Sequence, residues 1–290
     1  MSQFDFIQRF VIDNSPVRGE IVRLKDSFQQ VLDKHDYPPA IEKQLGEMLA
    51  AVALLTAIVK VDGILSLQAR GAGTCSLLMA ESNPGGDLRA IARWEGEINE
   101  ANTLKELMGN GQLVITIEPT NGKRYQGIVS LERETLAHCL EQYFEQSEQL
   151  PSRLWLNVTD NIASGFMLQA LPSERTEADI NAWEHAVSLA ETLKNEELSS
   201  LPFEELLHRL YHQEEVRIFE GNPLRFNCTC SEERVKNALV SVGKEELNEV
   251  IKERGIIESK CQFCNTLYSF NAADIENLFD DPDAPSPVIH

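Results

Sequence analysis

The sequence predicts an α+β protein: an N-terminal mixed, largely antiparallel sheet with helices, a helical linker, and a small C-terminal module built on four cysteines. Three observations carry this. Strand-like runs recur through the first 170 residues, and from 64 to 131 most are separated by short glycine-bearing turns. Helical periodicity takes over after Thr176, and the clips Cys228-Thr229-Cys230 and Cys261-Gln262-Phe263-Cys264 come last. Strands this closely spaced exclude a doubly wound sheet, whose parallel neighbours need a crossover helix. The expected domains are therefore 1–174, a linker at 175–226, and 227–290.

Runs 4–12 and 17–24 alternate as strands, with Asn14-Ser15-Pro16 as their turn. Asp26 is placed to cap a short helix to about Lys34. Pro38-Pro39 opens the longest helix, 39–60, because a first-turn N–H has no helical partner to lose. That helix is apolar nearly all round after Met48, which predicts a buried second half. Strands are expected at 64–69, 75–80, 88–94, 113–117, 125–131, 152–158 and 163–170, with a short helical turn at 103–109 and a helix at 133–146. Two amphipathic helices follow at 177–194 and 201–211, and their narrow apolar stripes predict marginal stability unless docked. Gly221-Asn222-Pro223 breaks the chain before the first clip. Ser231 caps a helix to Val242, 244–254 is another helix, and 256–259 is a strand leading to Cys261. The end from Asp280 to Pro285 is acidic, Pro-rich and expected to be disordered.

A net charge of −20 argues against nucleic acid or an anionic membrane as partner. The start carries no signal-peptide pattern, and the longest apolar run, 48–59, is too short to span a bilayer. With four of six cysteines in the clips rather than spread as a disulfide framework, a reducing cytoplasm is the expected location. Cys75 and Cys139 stand alone among apolar neighbours and read as buried small hydrophobes. Phosphate-loop, dinucleotide, zinc-protease and serine-hydrolase motifs are absent, so an enzyme is not expected. His208 and His212 share a helix face but have no third ligand in the pattern.

Four thiolates in two clips are the set that Zn²⁺ prefers, so Cys228, Cys230, Cys261 and Cys264 are the expected ligands of one ion per chain. The second clip has the common knuckle spacing, and the first is tighter. On extended backbone i and i+2 face the same side, so both its sulfurs can reach one metal. Their Cα atoms also fall about 5.5–7 Å apart, overlapping the disulfide window, so each clip is able to hold metal or to close on itself. Arg225, Arg234, Lys236 and Lys260 are close enough in sequence to offset thiolate charge.

The chain resembles the bacterial 33-kDa heat-shock protein family of redox-regulated chaperones along essentially its whole length. The resemblance is carried by Val17-Arg18-Gly19-Glu20, His35-Asp36-Tyr37-Pro38, Leu45-Gly46-Glu47, Lys60-x-Asp62-Gly63 and Leu67-Gln68-x-x-Gly71-x-Gly73. It continues through Tyr125-Gln126-Gly127-Ile128-Val129, Tyr143-Phe144-x-Gln146-Ser147-Glu148-Gln149 and, most specifically, the two clips. Thr74 departs from the proline usual there, which affects only local turn geometry. The resemblance implies an ATP-independent holdase of the heat-shock and oxidative-stress response, inactive when reduced and zinc-bound. Oxidation would form Cys228–Cys230 and Cys261–Cys264, release zinc and unfold the module and linker. The partners implied are unfolding clients, with a homodimer in the oxidised state. The linker stripe Trp183, Val187, Leu193, Phe203 and Leu207 is, from pattern alone, the candidate client surface. The competing expectation is a constitutive structural-zinc adaptor or regulator, which would keep its metal under mild oxidation.

Overall fold

The computed structural model describes residues 4–59, 62–100, 102–172 and 176–280. The disorder expected at 280–285 falls, from Asp281 on, outside the described residues, as do the first three residues and the expected boundary at 174/175. The chain forms two compact units, Met1–Asn227 and Cys228–His290.

In the first unit β1 (Phe6–Ile12) and β2 (Val17–Leu24) form a hairpin whose turn holds Asn14 at φ 61°. Helix α1 (Asp26–Leu32) follows, and its cap differs from expectation. Asp26 makes no cap; instead the Asp5 carboxylate accepts from the amides of Lys25, Asp26 and Ser27 at 3.2, 2.9 and 2.8 Å. The cap is supplied from across the fold, so no local spacing announces it. Helix α2 (Pro39–Ile58) starts on Pro39 as expected, and every residue from Leu45 to Leu55 is buried. Then come β3 (Gly63–Arg70), β4 (Cys75–Ser82), β5 (Asp87–Trp94), α3 (Leu104–Met108), β6 (Gln112–Pro119) and β7 (Tyr125–Ser130). Helix α4 (Leu136–Tyr143) runs into a single π turn, Phe144–Glu148, before β8 (Ser152–Thr159) and β9 (Ile162–Ala170).

Beyond Thr176 lie α5 (Glu177–Ala190), α6 (Asn195–Ser200) and α7 (Phe203–Tyr211). The first expected helix thus stops at Ala190, and a separate short helix fills the interval to the next. Short strands β10 (Val216–Ile218), β11 (Asn222–Pro223) and β12 (Arg225–Phe226) complete the unit.

The expected antiparallel sheet is divided into two. One runs β10-β1-β2-β9-β8 with β11 also on β1; the other runs β12-β5-β4-β3-β6-β7. All pairings are antiparallel except β12 with β5. Helix α2 packs against strands of both sheets and is the shared core between them. Because strand side chains alternate, the first sheet buries a second set of residues on its far face. There Phe10, Ile12, Val17, Ile21, Phe166 and Leu168 meet Val187, Phe203, Leu206, Leu207 and Leu210 of the linker helices. The interior strand β9 is consequently buried on both sides for most of its length.

The second unit holds α8 (Glu232–Val242), α9 (Lys244–Arg254), the hairpin β13 (Ile257–Lys260) and β14 (Leu267–Phe270), and α10 (Ala272–Asp280). Its buried core is Leu247, Ile257, Phe270 and Ile275. A core this small leaves a module of about 60 residues in need of a further constraint.

Candidate metal centre

The two clips arrive from different local structures. Cys228-Thr229-Cys230 directly precedes Ser231, whose hydroxyl caps α8 by accepting from the Arg234 amide at 3.2 Å. Cys261 through Cys264 form the connection of the β13–β14 hairpin. That connection is closed by Asn265 N–H to Cys261 C=O at 2.8 Å and Cys261 N–H to Thr266 C=O at 2.9 Å, with Asn265 in the left-handed region at φ 63°. Asparagine tolerates that conformation better than most residues, which makes it a readable sign of a tight turn after the clip.

All four sulfurs lie within 4.8 Å of one another, none of the four is in a disulfide, and all are half-buried. The close approaches cross between clips: Cys228 Sγ to Cys261 Sγ at 3.7 Å and Cys230 Sγ to Cys264 Sγ at 3.4 Å. Four sulfurs bound at ~2.3 Å to a tetrahedral metal sit ~3.8 Å apart, so the donor set has the size and chemistry for such an ion. Among the described residues no other group of three or more His, Cys, Asp or Glu converges this way. His208 and His212 face each other with ring centroids 6.2 Å apart and gather no further ligand.

The surroundings prepare the thiols unequally. Burial opposes ionisation of Cys264, but the hydroxyl and backbone of Thr266, with the neighbouring thiols of Cys230 and Cys261, outweigh it and hold this group at about 6. Cys230 is pushed up to about 12, by burial first and by the adjacent thiols, against the lowering hydrogen bond from Tyr268. The Tyr268 hydroxyl donates to Cys230 Sγ at 3.2 Å, and Thr266 Oγ1 lies 3.2 Å from Cys264 Sγ. Neither residue follows from the cysteine spacing; Tyr268 is found only once the hairpin register is known.

The cations expected to balance thiolate charge are mostly engaged elsewhere. Arg225 lies in the first unit with its guanidinium 2.7 Å from Asp87, and Lys236 pairs with Glu232 at 2.6 Å. Arg234 donates to the Thr229 hydroxyl at 3.0 Å, inside the first clip. Cys75 and Cys139 are fully buried in the first unit, where burial raises both thiols. The five stripe residues converge on the far face of the first sheet. Val187, Phe203 and Leu207 are buried there, and Trp183 and Leu193 are partly buried against them.

The Hsp33 protein family profile matches residues 5–271. The chain belongs to the Hsp33 family. A 33 kDa chaperonin of Shewanella loihica is 50% identical over 275 residues, covering 95% of this chain and 96% of the relative. One from Azotobacter vinelandii is 50% identical over 297 residues, covering both chains completely. The crystal structure of the 33 kDa chaperonin of Thermotoga maritima superposes with a TM-score of 0.82 over 95% of this chain and 98% of that one. At 23% identity that likeness speaks for the fold. Membership in the Hsp33 family gives the chain a chaperone's function rather than an enzyme's, with unfolded client proteins as its partners. Among the described residues no helix is long and apolar enough to cross a membrane.

Proposed function

We propose that this chain is a redox-regulated, ATP-independent holdase of the cytoplasm, active under oxidative and heat stress. The observation that carries the reading is the cluster of four cysteine thiols outside any disulfide, spaced as a metal tetrahedron, in a unit whose own core is four buried residues. In the reduced form Cys228, Cys230, Cys261 and Cys264 hold one Zn²⁺ per chain. Bound zinc keeps the sulfurs deprotonated and couples its binding free energy, about 10–16 kcal/mol in small zinc modules, to folding of the unit.

The same thiolates are the oxidisable form. One sulfur of a pair attacks peroxide and becomes a sulfenic acid, releasing water. Its partner thiol then displaces a second water to close the disulfide, so each pair gives two electrons to one peroxide. The pairs proposed are Cys228–Cys230 and Cys261–Cys264. They rest on the family resemblance and on the short loops they close. The competing pairs are the cross-clip approaches of the folded unit, Cys228–Cys261 and Cys230–Cys264.

The chain is divided functionally into 1–174, the linker 175–226 and the switch module 227–290. Loss of zinc unfolds the module and then the linker. The stripe Trp183, Val187, Leu193, Phe203 and Leu207 and the sheet face beneath it, including Phe10, Ile21 and Phe166, lose their mutual cover together and become available to clients. The oxidised form works as a homodimer.

The deciding experiment follows zinc, free thiols and aggregation of a chemically unfolded client during peroxide treatment. Zinc release and loss of four thiols should coincide with newly acquired suppression of aggregation, and peptide mapping should find the within-clip disulfides. Equal protection by the reduced protein, or zinc retained through oxidation, would replace this reading with the constitutive zinc adaptor. Serine at Trp183 and Leu193 should weaken client capture by the oxidised form; full capture removes the stripe from the client surface.

A further inference from the structure

Helices α5 and α7 meet the first sheet mainly through apolar side chains, whereas α6 adds only Leu198 to that apolar face and is otherwise seated on polar groups. The largest fully buried side chain beneath it is a cation, Arg23 of β2, with no exposed surface. Its Nε donates to the Leu198 carbonyl of α6 at 2.5 Å, and its guanidinium carbon lies 4.5 Å from the ring centre of Phe203 on α7. Both terminal nitrogens, Nη1 and Nη2, are buried without a hydrogen-bond partner. Among the described residues Arg23 makes no ion pair with a carboxylate. Beside it Asn157 Nδ2 donates to Ser199 Oγ at 3.1 Å, and Ser164 Oγ lies 3.4 Å from the same hydroxyl. Asn157, Ser164 and Ser199 are all buried.

We propose that this polar seam, with Arg23 at its centre, is a weak point built into linker docking that keeps the linker releasable. The inference rests on the reading above, in which linker release activates the chaperone. A guanidinium held out of water with one hydrogen bond, a ring face and no opposite charge opposes the docked state. When α6 lifts, Arg23 recovers its water, and so do Asn157, Ser164 and Ser199. An all-apolar seam would gain nothing of the kind on release and would hold the linker more tightly. Burial alone presses the Arg23 pKa down to about 10, which agrees with a cation that nothing charged compensates.

The test is amide hydrogen exchange on the full-length, zinc-loaded, reduced protein, because exchange reports local opening without requiring oxidation. In Arg23→Met the amides of 195–211 should exchange at least roughly five-fold more slowly, the low end of the stabilisation that replacing buried ions by hydrophobes gives. Those of α2 should be unchanged. Peroxide should then activate the variant more slowly than the native chain. Unchanged or faster exchange over 195–211 overturns the proposal. If Arg23→Met does not fold, Arg23→Gln, which drops the charge and keeps a donor toward Leu198, is judged on the same readout. Loss of the fold in both also overturns it, since the cation would then be a structural requirement. A native protein that gains no activity on oxidation fails the holdase reading separately, whatever the exchange shows.

Discussion

The Tyr268 hydroxyl donates to Cys230 Sγ at 3.2 Å, reaching from the second strand of the β13–β14 hairpin to a cysteine of the other clip. The phenol is itself held up at about 12, first by that hydrogen bond, so it stays a donor over the physiological range. A donor on a ligating sulfur orients it and withdraws charge from it. Tyr268→Phe should weaken zinc binding by about 10–100-fold, the usual scale for such outer partners. Competition with a chromogenic chelator measures this, and an unchanged affinity would show the contact to be incidental.

Removing the proposed metal should affect the two units differently. The second unit buries Leu247, Ile257, Phe270 and Ile275, whereas the first has two extended cores. A chelator under reducing conditions should therefore move the resonances of 228–280 to random-coil positions while those of α2 and its sheets persist. Native-like resonances in metal-free 228–280 would show that the small core suffices.

Gly19 and Phe10 set how closely the first sheet accepts the linker. A Cβ on Gly19 would lie 2.1 Å from the tip of the Phe10 ring, which is packed between Phe166 and Tyr211 at centroid distances of 5.7 and 6.2 Å. Gly19→Ala must push the ring toward Tyr211 of α7. Overpacking of this kind costs about 1–3 kcal/mol. The reduced variant should expose apolar surface and suppress client aggregation without oxidant. Native-like dye binding and full silence in the reduced state would count against a linker docked through this ring.

Glu47 is buried on α2, and desolvation, against the attraction of Lys43, raises its carboxyl to about 7. The folded state thus binds a proton more tightly than the unfolded chain, whose carboxyl titrates near 4.5. Stability from this group is present at low pH and is lost as pH rises from about 4.5 through about 7. Glu47→Gln should stabilise the protein at pH 8 by roughly 3 kcal/mol, with the gain vanishing below about pH 4.5. Thermal melts of mutant and native across this range give the answer, and a gain independent of pH would point to packing instead.

Much of the fold is legible because its signals are local. The proline start and apolar second half of α2, the hairpin turn at Asn14 and the cap at Ser231 each depend on a few neighbouring residues. The cap of α10 is equally local: Asn271 Oδ1 accepts from the amides of Ala273 and Asp274 at 2.8 and 3.2 Å. The sequence reading assigns no element between the second clip and Asp280 and so passes over this Asn-x-x-Asp start. The division into two sheets is not legible, because alternation tells which side of a strand is buried and not which sheet owns it. Strands β10, β11 and β12 are too short for any period, and α6 carries two adjacent glutamates where an apolar stripe is sought. For the site, spacing names the four sulfurs and their common metal. Thr266 and Tyr268 come to them through the register of β13 with β14, a relation fixed by pairing rather than by neighbouring sequence.

The segment leading to Cys228 is tied down by three, two and two strand residues in β10, β11 and β12, and finally by the Asn227 amide on the Leu88 carbonyl at 3.0 Å. These patches are separate, β10 and β11 on β1 and β12 on β5, and each holds only two or three residues. Losing one does not require losing the next, so under the proposed switch an event at the cysteines would reach α7 in steps and acquire a direction of travel along the chain.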